Sequence, residues 1–151
     1  ELRAGLVPGR APLLWGLSRC VNAARFAGKV ILDGVYNDVR DPEGFAVEAA
    51  QGAEMGFDGK TLVHPTQVEP CNAAFSPSEE DIRYATGCVA AFEEAQKKGL
   101  GAVSFEGRMI DIMSYEQAKN LVVFAATIAE RDRWKAGAAY ISPLKYFPPS
   151  K

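Results

Sequence analysis

Val30-Ile31-Leu32-Asp33-Gly34-Val35-Tyr36-Asn37-Asp38 and, downstream, Lys60-Thr61-Leu62-Val63-His64-Pro65-Thr66-Gln67 are the stretches that decide how this chain folds. Each is a short apolar run with β-branched residues that gives way to polar ones, which reads as a strand ending in a loop. Between them Asp41-Pro42 offers an N-cap and a first-turn proline. Phe45, Ala49, Ala53 and Met55 then fall at helical spacing up to Gly56. A strand without apolar/polar alternation is apolar on both faces, so the expectation is parallel strands buried on both sides and joined by a crossover helix.

Working outward, Leu13, Leu14, Leu17, Val21 and Ala24 predict a helix over 10–27 closed by Gly28, and another helix is predicted over 67–75. This βα alternation argues for an α/β fold with a parallel sheet. Two strands are not a self-sufficient parallel sheet, so the segment reads as the closing portion of a larger barrel or sheet. The character changes after residue 75. Ser76-Pro77-Ser78-Glu79 reads as a capping box with proline at N1, launching a helix through Ile82, Ala85, Val89 and Phe92 to Gly99. Ala102–Phe105, the turn Glu106-Gly107 and Arg108–Ile110 predict a hairpin. Ser114–Gln117 reads as a second capping box before a long last helix, and the prolines at 143, 148 and 149 suggest an extended arm. The expected division is 1–75 for the α/β part, 76–134 for a helix, hairpin, helix extension, and 135–151 for a proline-rich tail.

The 151 residues carry 17 Lys+Arg against 19 Asp+Glu, a net charge of −2, with 48% hydrophobic residues. That balance is globular, which excludes intrinsic disorder, and the interleaved charges with a pI near 5.5 exclude a basic nucleic-acid-binding surface. Cys20, Cys71 and Cys88 with His64 as the single histidine lack the ligands and spacing of a structural zinc site. They read as reduced thiols in a cytoplasmic protein. The longest apolar run, Leu121–Ala126, is far short of the ~20 residues a membrane span needs. The chain opens on Glu1 rather than Met, which reads as a cleaved piece or the ordered part of something longer.

In parallel α/β folds ligands sit at the carboxyl ends of strands, which draws attention to Asp33, Tyr36, Asn37, Asp38, Arg40 and Asp41 after the first strand and to His64, Thr66 and Gln67 after the second. Asp33 is a carboxylate within an apolar strand, read either as functional or as a turn-forming Asp-Gly. His64 is read as a general acid or base, or as a hydrogen-bonding loop residue. Lys60 opens its strand from the opposite end and reads as structural or solvated. Asp111, between Ile110 and Ile112, is expected to have a raised pKa and to suit a general base; the alternative is an auxiliary helix cap near Ser114.

Taken together, Ile31–Asp38, Gly56–Val68, Phe75–Glu79 and Gly107-Arg108-Met109-Ile110-Asp111 resemble the citrate lyase beta-subunit-like CoA-ester lyases of the HpcH/HpaI aldolase superfamily, malyl-CoA and citramalyl-CoA lyases among them. The resemblance covers residues 8 to 130 and implies a TIM barrel with a C-terminal lid extension. It implies a Mg²⁺-dependent carbon–carbon lyase acting on an acyl-CoA thioester and a 2-oxo acid. Mg²⁺ would polarise the 2-oxo acid carbonyl while a carboxylate removes the thioester α-proton. By the same resemblance Asp111 is that carboxylate, and Asp33, Tyr36, Asp38, Lys60, His64 and Gln67 lie near the substrate or CoA. The family's metal ligands fall upstream of Glu1, so none is assigned here. A homo-oligomer whose lid crosses to a neighbouring subunit is implied, without nucleic-acid or membrane partners. Alternatives are a citrate lyase beta subunit, a malyl-CoA thioesterase, or an inactive truncated fragment that docks on partner subunits.

Overall fold

The computed structural model describes residues 5 and 7–135. The tail expected after residue 135 and the residues Glu1-Leu2 lie outside them. The chain forms two compact units, Glu1–Ser76 and Pro77–Lys151.

The first unit begins with a turn-like segment, Pro8–Leu13, and α1 (Leu14–Phe26). The helix starts four residues later than the apolar spacing suggests because Gly9 and Arg10 adopt left-handed backbone (φ 73 and 56). It stops where expected: Gly28 (φ 62) lets its own N–H reach Arg25 O at 3.1 Å and the Lys29 N–H reach Ala24 O at 2.8 Å. This reversal satisfies the last carbonyls and favours a residue without Cβ. β1 (Leu32–Asp33) leads to α2 (Pro42–Glu54), β2 (Gly59–Lys60), a short turn Pro65–Gln67 and α3 (Val68–Phe75). Asp41 caps α2 by accepting from the Gly44 N–H at 2.9 Å, as its place before Pro42 suggests.

β1 and β2 pair in parallel, Leu32 opposite Gly59 and Asp33 opposite Lys60. Both strands are shorter than the apolar runs, and the second lies before Thr61–Val63 rather than on it. Burial on both faces is not found: Val30 is 67% and Leu32 57% exposed, while Asp33 is 1% exposed. A two-stranded ladder has one face against α2 and α3, and among the described residues nothing covers the other. The apolar core of this unit is Phe45, Ala49 and Cys71, flanked by Tyr36, Leu62, Ala74 and Phe75.

In the second unit α4 (Glu79–Lys97) is followed by the antiparallel hairpin β3 (Val103–Phe105) and β4 (Arg108–Ile110), then α5 (Ile112–Lys135). Glu106 (φ 46) and Gly107 (φ 78) make the two-residue connection left-handed, the conformation that matches strand twist. Both capping boxes are displaced from their expected positions. The α4 box is Ser78 with Asp81, because Pro77 precedes the cap instead of occupying the first helical position. In α5 the cap comes from Asp111: the helix begins at Ile112, and Ser114 is already in its first turn. The core is Ala85, Cys88, Phe92, Ile110, Tyr115 and Ala118, with Phe92 and Tyr115 stacked at 4.9 Å.

A Cβ at Gly87 would run into the Phe105 ring. Gly87→Ala therefore lowers the stability of this unit by about 1–3 kcal/mol despite alanine's better helix propensity, and a denaturant melt reads the difference. Of the cysteines, Cys71 and Cys88 are buried, Cys20 is exposed, and all three are free. Among the described residues no helix is long and apolar enough to cross a membrane.

Candidate functional site

The last residues of β1 and β2 carry opposite charges into the same buried space. Lys60 Nζ donates to Asp33 Oδ2 at 3.1 Å and to Glu48 Oε1 on α2 at 2.7 Å. Arg10 Nη1 donates to both Asp33 oxygens at 2.8 Å, and the Gly34 N–H donates to Oδ1 at 2.8 Å. The side chains of Asp33 and Lys60 are fully buried. Two cations and two anions make the cluster neutral, which is what its burial demands. Room for it depends on Gly52, where a Cβ would lie 2.8 Å from Asp33 Oδ2. With its oxygens committed to these donors, Asp33 shapes the strand ends through the groups it holds, and Lys60 does the same.

The loops that leave the two strands are bound to each other by Gln67, which is 3% exposed. Its Nε2 donates to Tyr36 O at 2.9 Å and its Oε1 accepts from the Val63 N–H at 3.1 Å. Tyr36 in turn donates its hydroxyl to Asp41 Oδ2 at 2.5 Å. That bond, with burial and the nearby carboxylates adding to it, pushes the Tyr36 phenol up to about 12, and it holds the Asp41 carboxyl below its ordinary value. Tyr36 is thus a protonated donor at neutral pH and not a base. Asp38 is exposed and accepts from the Arg40 N–H at 3.0 Å. His64 is exposed and local: its Nδ1 lies 2.9 Å from Thr66 Oγ1 and 3.3 Å from the Thr66 amide, so it caps the turn that follows.

Asp111 belongs to the second unit. It is exposed at the joint between β4 and α5, and its Oδ1 accepts from the Ser114 N–H and Oγ, both at 2.8 Å. Those bonds hold the carboxyl below the usual carboxylate range. This reverses the raised pKa expected from its apolar sequence neighbours. Ile110 is buried in the core, but Asp111 points to solvent beside the α5 N-terminus, where amides stabilise its charge.

The structure brings together Asp33 with Lys60, which is buried at the end of β2 and not solvated at the opposite end of its strand, and Tyr36 with Gln67; it leaves Asp38 and His64 as exposed loop residues, and sequence reasoning misses Arg10, Glu48 and Gln51. Glu48 and Gln51 sit one turn of α2 apart, on the side towards the strand ends, and their polar spacing beside Ala49 and Gly52 is a signal available in the sequence. Arg10 carries no such signal, because the apolar spacing predicts a helix start there and its left-handed backbone accompanies tertiary bonds to Asp33 and Gln51. Among the described residues no group of three or more His, Cys, Asp or Glu side chains lies close enough to hold a metal ion.

Parallel βα units whose polar loops gather at the carboxyl ends of the strands define a mixed α/β chain. The family model described as HpcH/HpaI aldolase/citrate lyase matches residues 6–65, and over that span the chain is similar to that family. A (3S)-malyl-CoA thioesterase of Cereibacter sphaeroides is 44% identical over 129 residues, 85% of this chain and 45% of that protein. The mitochondrial citramalyl-CoA lyase of Homo sapiens is 40% identical over 119 residues, 79% of this chain and 35% of that protein. The crystal structure of CitE from Mycobacterium tuberculosis in complex with magnesium, acetoacetate and coenzyme A superposes with a TM-score of 0.63 at 30% identity, covering 81% of this chain and 46% of that one. The chain thus spans less than half the length of these proteins.

Proposed function

We propose that the complete protein is a Mg²⁺-dependent CoA-ester lyase that cleaves a 3-hydroxyacyl-CoA such as malyl-CoA or citramalyl-CoA into an acyl-CoA and a 2-oxo acid, or joins them. The observation that carries this reading is the identity of 40–44% over most of the chain to proteins named for malyl-CoA and citramalyl-CoA. In this reading residues 1–75 supply the last βα units of a TIM barrel, and 76–134 supply a lid over the active site of a neighbouring subunit in a homo-oligomer. Asp111 is the base that takes the thioester α-proton in the condensation direction, and as a carboxylate it is in the accepting form at neutral pH. Asp33, Lys60 and Gln67 hold the strand ends and loops, leaving Tyr36, Asp38 and His64 to face the acyl-CoA and 2-oxo acid. The ligands for Mg²⁺ come from sequence outside the described residues, and residues 1–151 alone are expected to show no turnover.

The 44% identical relative favours a second reading, hydrolysis of malyl-CoA. The two part at the thiol. Lyase action on malyl-CoA yields acetyl-CoA and glyoxylate with no free thiol, whereas hydrolysis yields malate and free CoA. Incubating the complete protein with malyl-CoA and Mg²⁺, with a thiol reagent and a glyoxylate assay in parallel, is expected to show glyoxylate. Free thiol alone supports the thioesterase, and neither product removes both readings.

A further inference from the structure

Arg10 carries two local penalties at once. Its backbone is left-handed directly after Gly9, and its Nη2 is buried without an acceptor among the described residues. A non-glycine residue keeps such a conformation only where its surroundings over-determine it, and residues of this kind concentrate where a site is being held in shape.

What over-determines Arg10 is a ring of bonds. Nη1 takes both oxygens of Asp33 at 2.8 Å, and Nε donates to Gln51 Oε1 at 2.9 Å. Gln51 Nε2 returns to Gly9 O at 2.8 Å, which closes the ring on the left-handed turn itself. Asp33 is the residue through which this reaches both loops. Its side chain accepts from the Gly34 N–H at 2.8 Å, the first amide after β1. Its carbonyl accepts from the Thr61 N–H at 3.0 Å, the first amide after β2. One carboxylate residue therefore sets the departure of both loops, and Arg10 sets the carboxylate.

We infer that Arg10 is a positioning residue: it fastens the segment Val7–Leu13 to the carboxyl ends of β1 and β2, so that this segment stands as a third wall beside loops 34–41 and 61–67. The inference rests on the proposed function only in taking those walls to enclose a CoA-ester site. A plain structural ion pair would serve equally well with lysine, but holding both Asp33 oxygens and Gln51 together requires the planar fork of arginine.

Two variants of the complete protein separate the side chain from the backbone. Arg10→Gly relieves the left-handed strain while removing the guanidinium, and Arg10→Lys keeps the charge while removing the fork. Amide hydrogen exchange is expected to accelerate at least about 10-fold at Gly34 and Thr61 and through the two loops in both variants, with α4 and α5 unchanged. kcat on the CoA ester is expected to fall about 100-fold, a loss in proportion to misplaced site walls. Unchanged exchange at the loops, acceleration spread evenly over the whole first unit, or full kcat in Arg10→Lys each overturns the inference. If the wild-type protein turns over no CoA ester, the proposed function fails, while the exchange pattern still decides the role of Arg10.

Discussion

Asp33→Asn is expected to destabilise the first unit by about 3–5 kcal/mol, because it leaves Arg10 and Lys60 buried with only Glu48 to balance them. Asparagine preserves shape and the bond from the Gly34 amide, so the loss is a charge effect and not a cavity effect. Lys60→Met makes the opposite error: Asp33 and Glu48 then share Arg10 alone, and a similar loss follows. The double variant restores neutrality, with one cation facing one anion. Its loss is expected to be smaller than the sum of the two single losses, the difference being a coupling of about 0.5–3 kcal/mol. Chemical denaturation of the four proteins measures it. Strict additivity would mean that the ion pairs are not the source of the stability. A loss of this size is a large share of a typical domain's 5–15 kcal/mol, so destabilising solution conditions should unfold the single variants first.

Asp111→Asn is the substitution with the largest expected effect on activity. If the carboxylate takes the proton, its amide cannot, and kcat is expected to fall by roughly 10²–10⁴ in the complete protein. Asparagine caps helices about as well as aspartate, so the thermal midpoint should hold, whereas Asp111→Ala removes the acceptor for the Ser114 amide and hydroxyl as well. Near-wild-type cleavage by Asp111→Asn would take this residue out of the mechanism.

The pH dependence follows from the sign of the shift. The Asp111 carboxyl lies below its ordinary value of 3.8. The stabilisation it contributes is fully present above that ordinary value and is lost as pH falls through the lower folded value. Asp111 should therefore produce no acid limb in kcat/KM between about pH 5 and 8. A limb in that window abolished by Asp111→Asn would show that the working carboxyl is raised in the bound state.

Much of the secondary structure was readable because its signals are local. Asp41-Pro42 starts α2 where expected, and the glycines at 28, 56 and 99 stop α1, α2 and α4. The capping boxes were displaced for a local reason too, since two serines flank Pro77 and an aspartate stands three residues before Ser114, so the pattern alone admits neighbouring frames. Strand extent was less readable. Val30 and Thr61–Val63 look like strand by composition, but a ladder continues only while a partner offers hydrogen bonds, and the pairing covers Leu32–Asp33 with Gly59–Lys60 alone.

What the sequence by itself determined is therefore the order of elements, the parallel βα character and the motifs that carry the resemblance to the HpcH/HpaI aldolase/citrate lyase family. These depend on residues close together in the chain, whose spacing records backbone conformation directly. Only the tertiary structure decided the state of the chemical groups. It turned Asp33 and Lys60 into members of a neutral buried cluster with Arg10 and Glu48, and Tyr36 into a hydrogen-bond donor that keeps its proton. It turned Asp111 from a carboxyl expected to be raised into one held low by the first turn of α5. Charge state and hydrogen-bond capacity are set by what lies within a few ångströms in space, and for these residues some of the deciding partners stand 12 to 27 positions away along the chain.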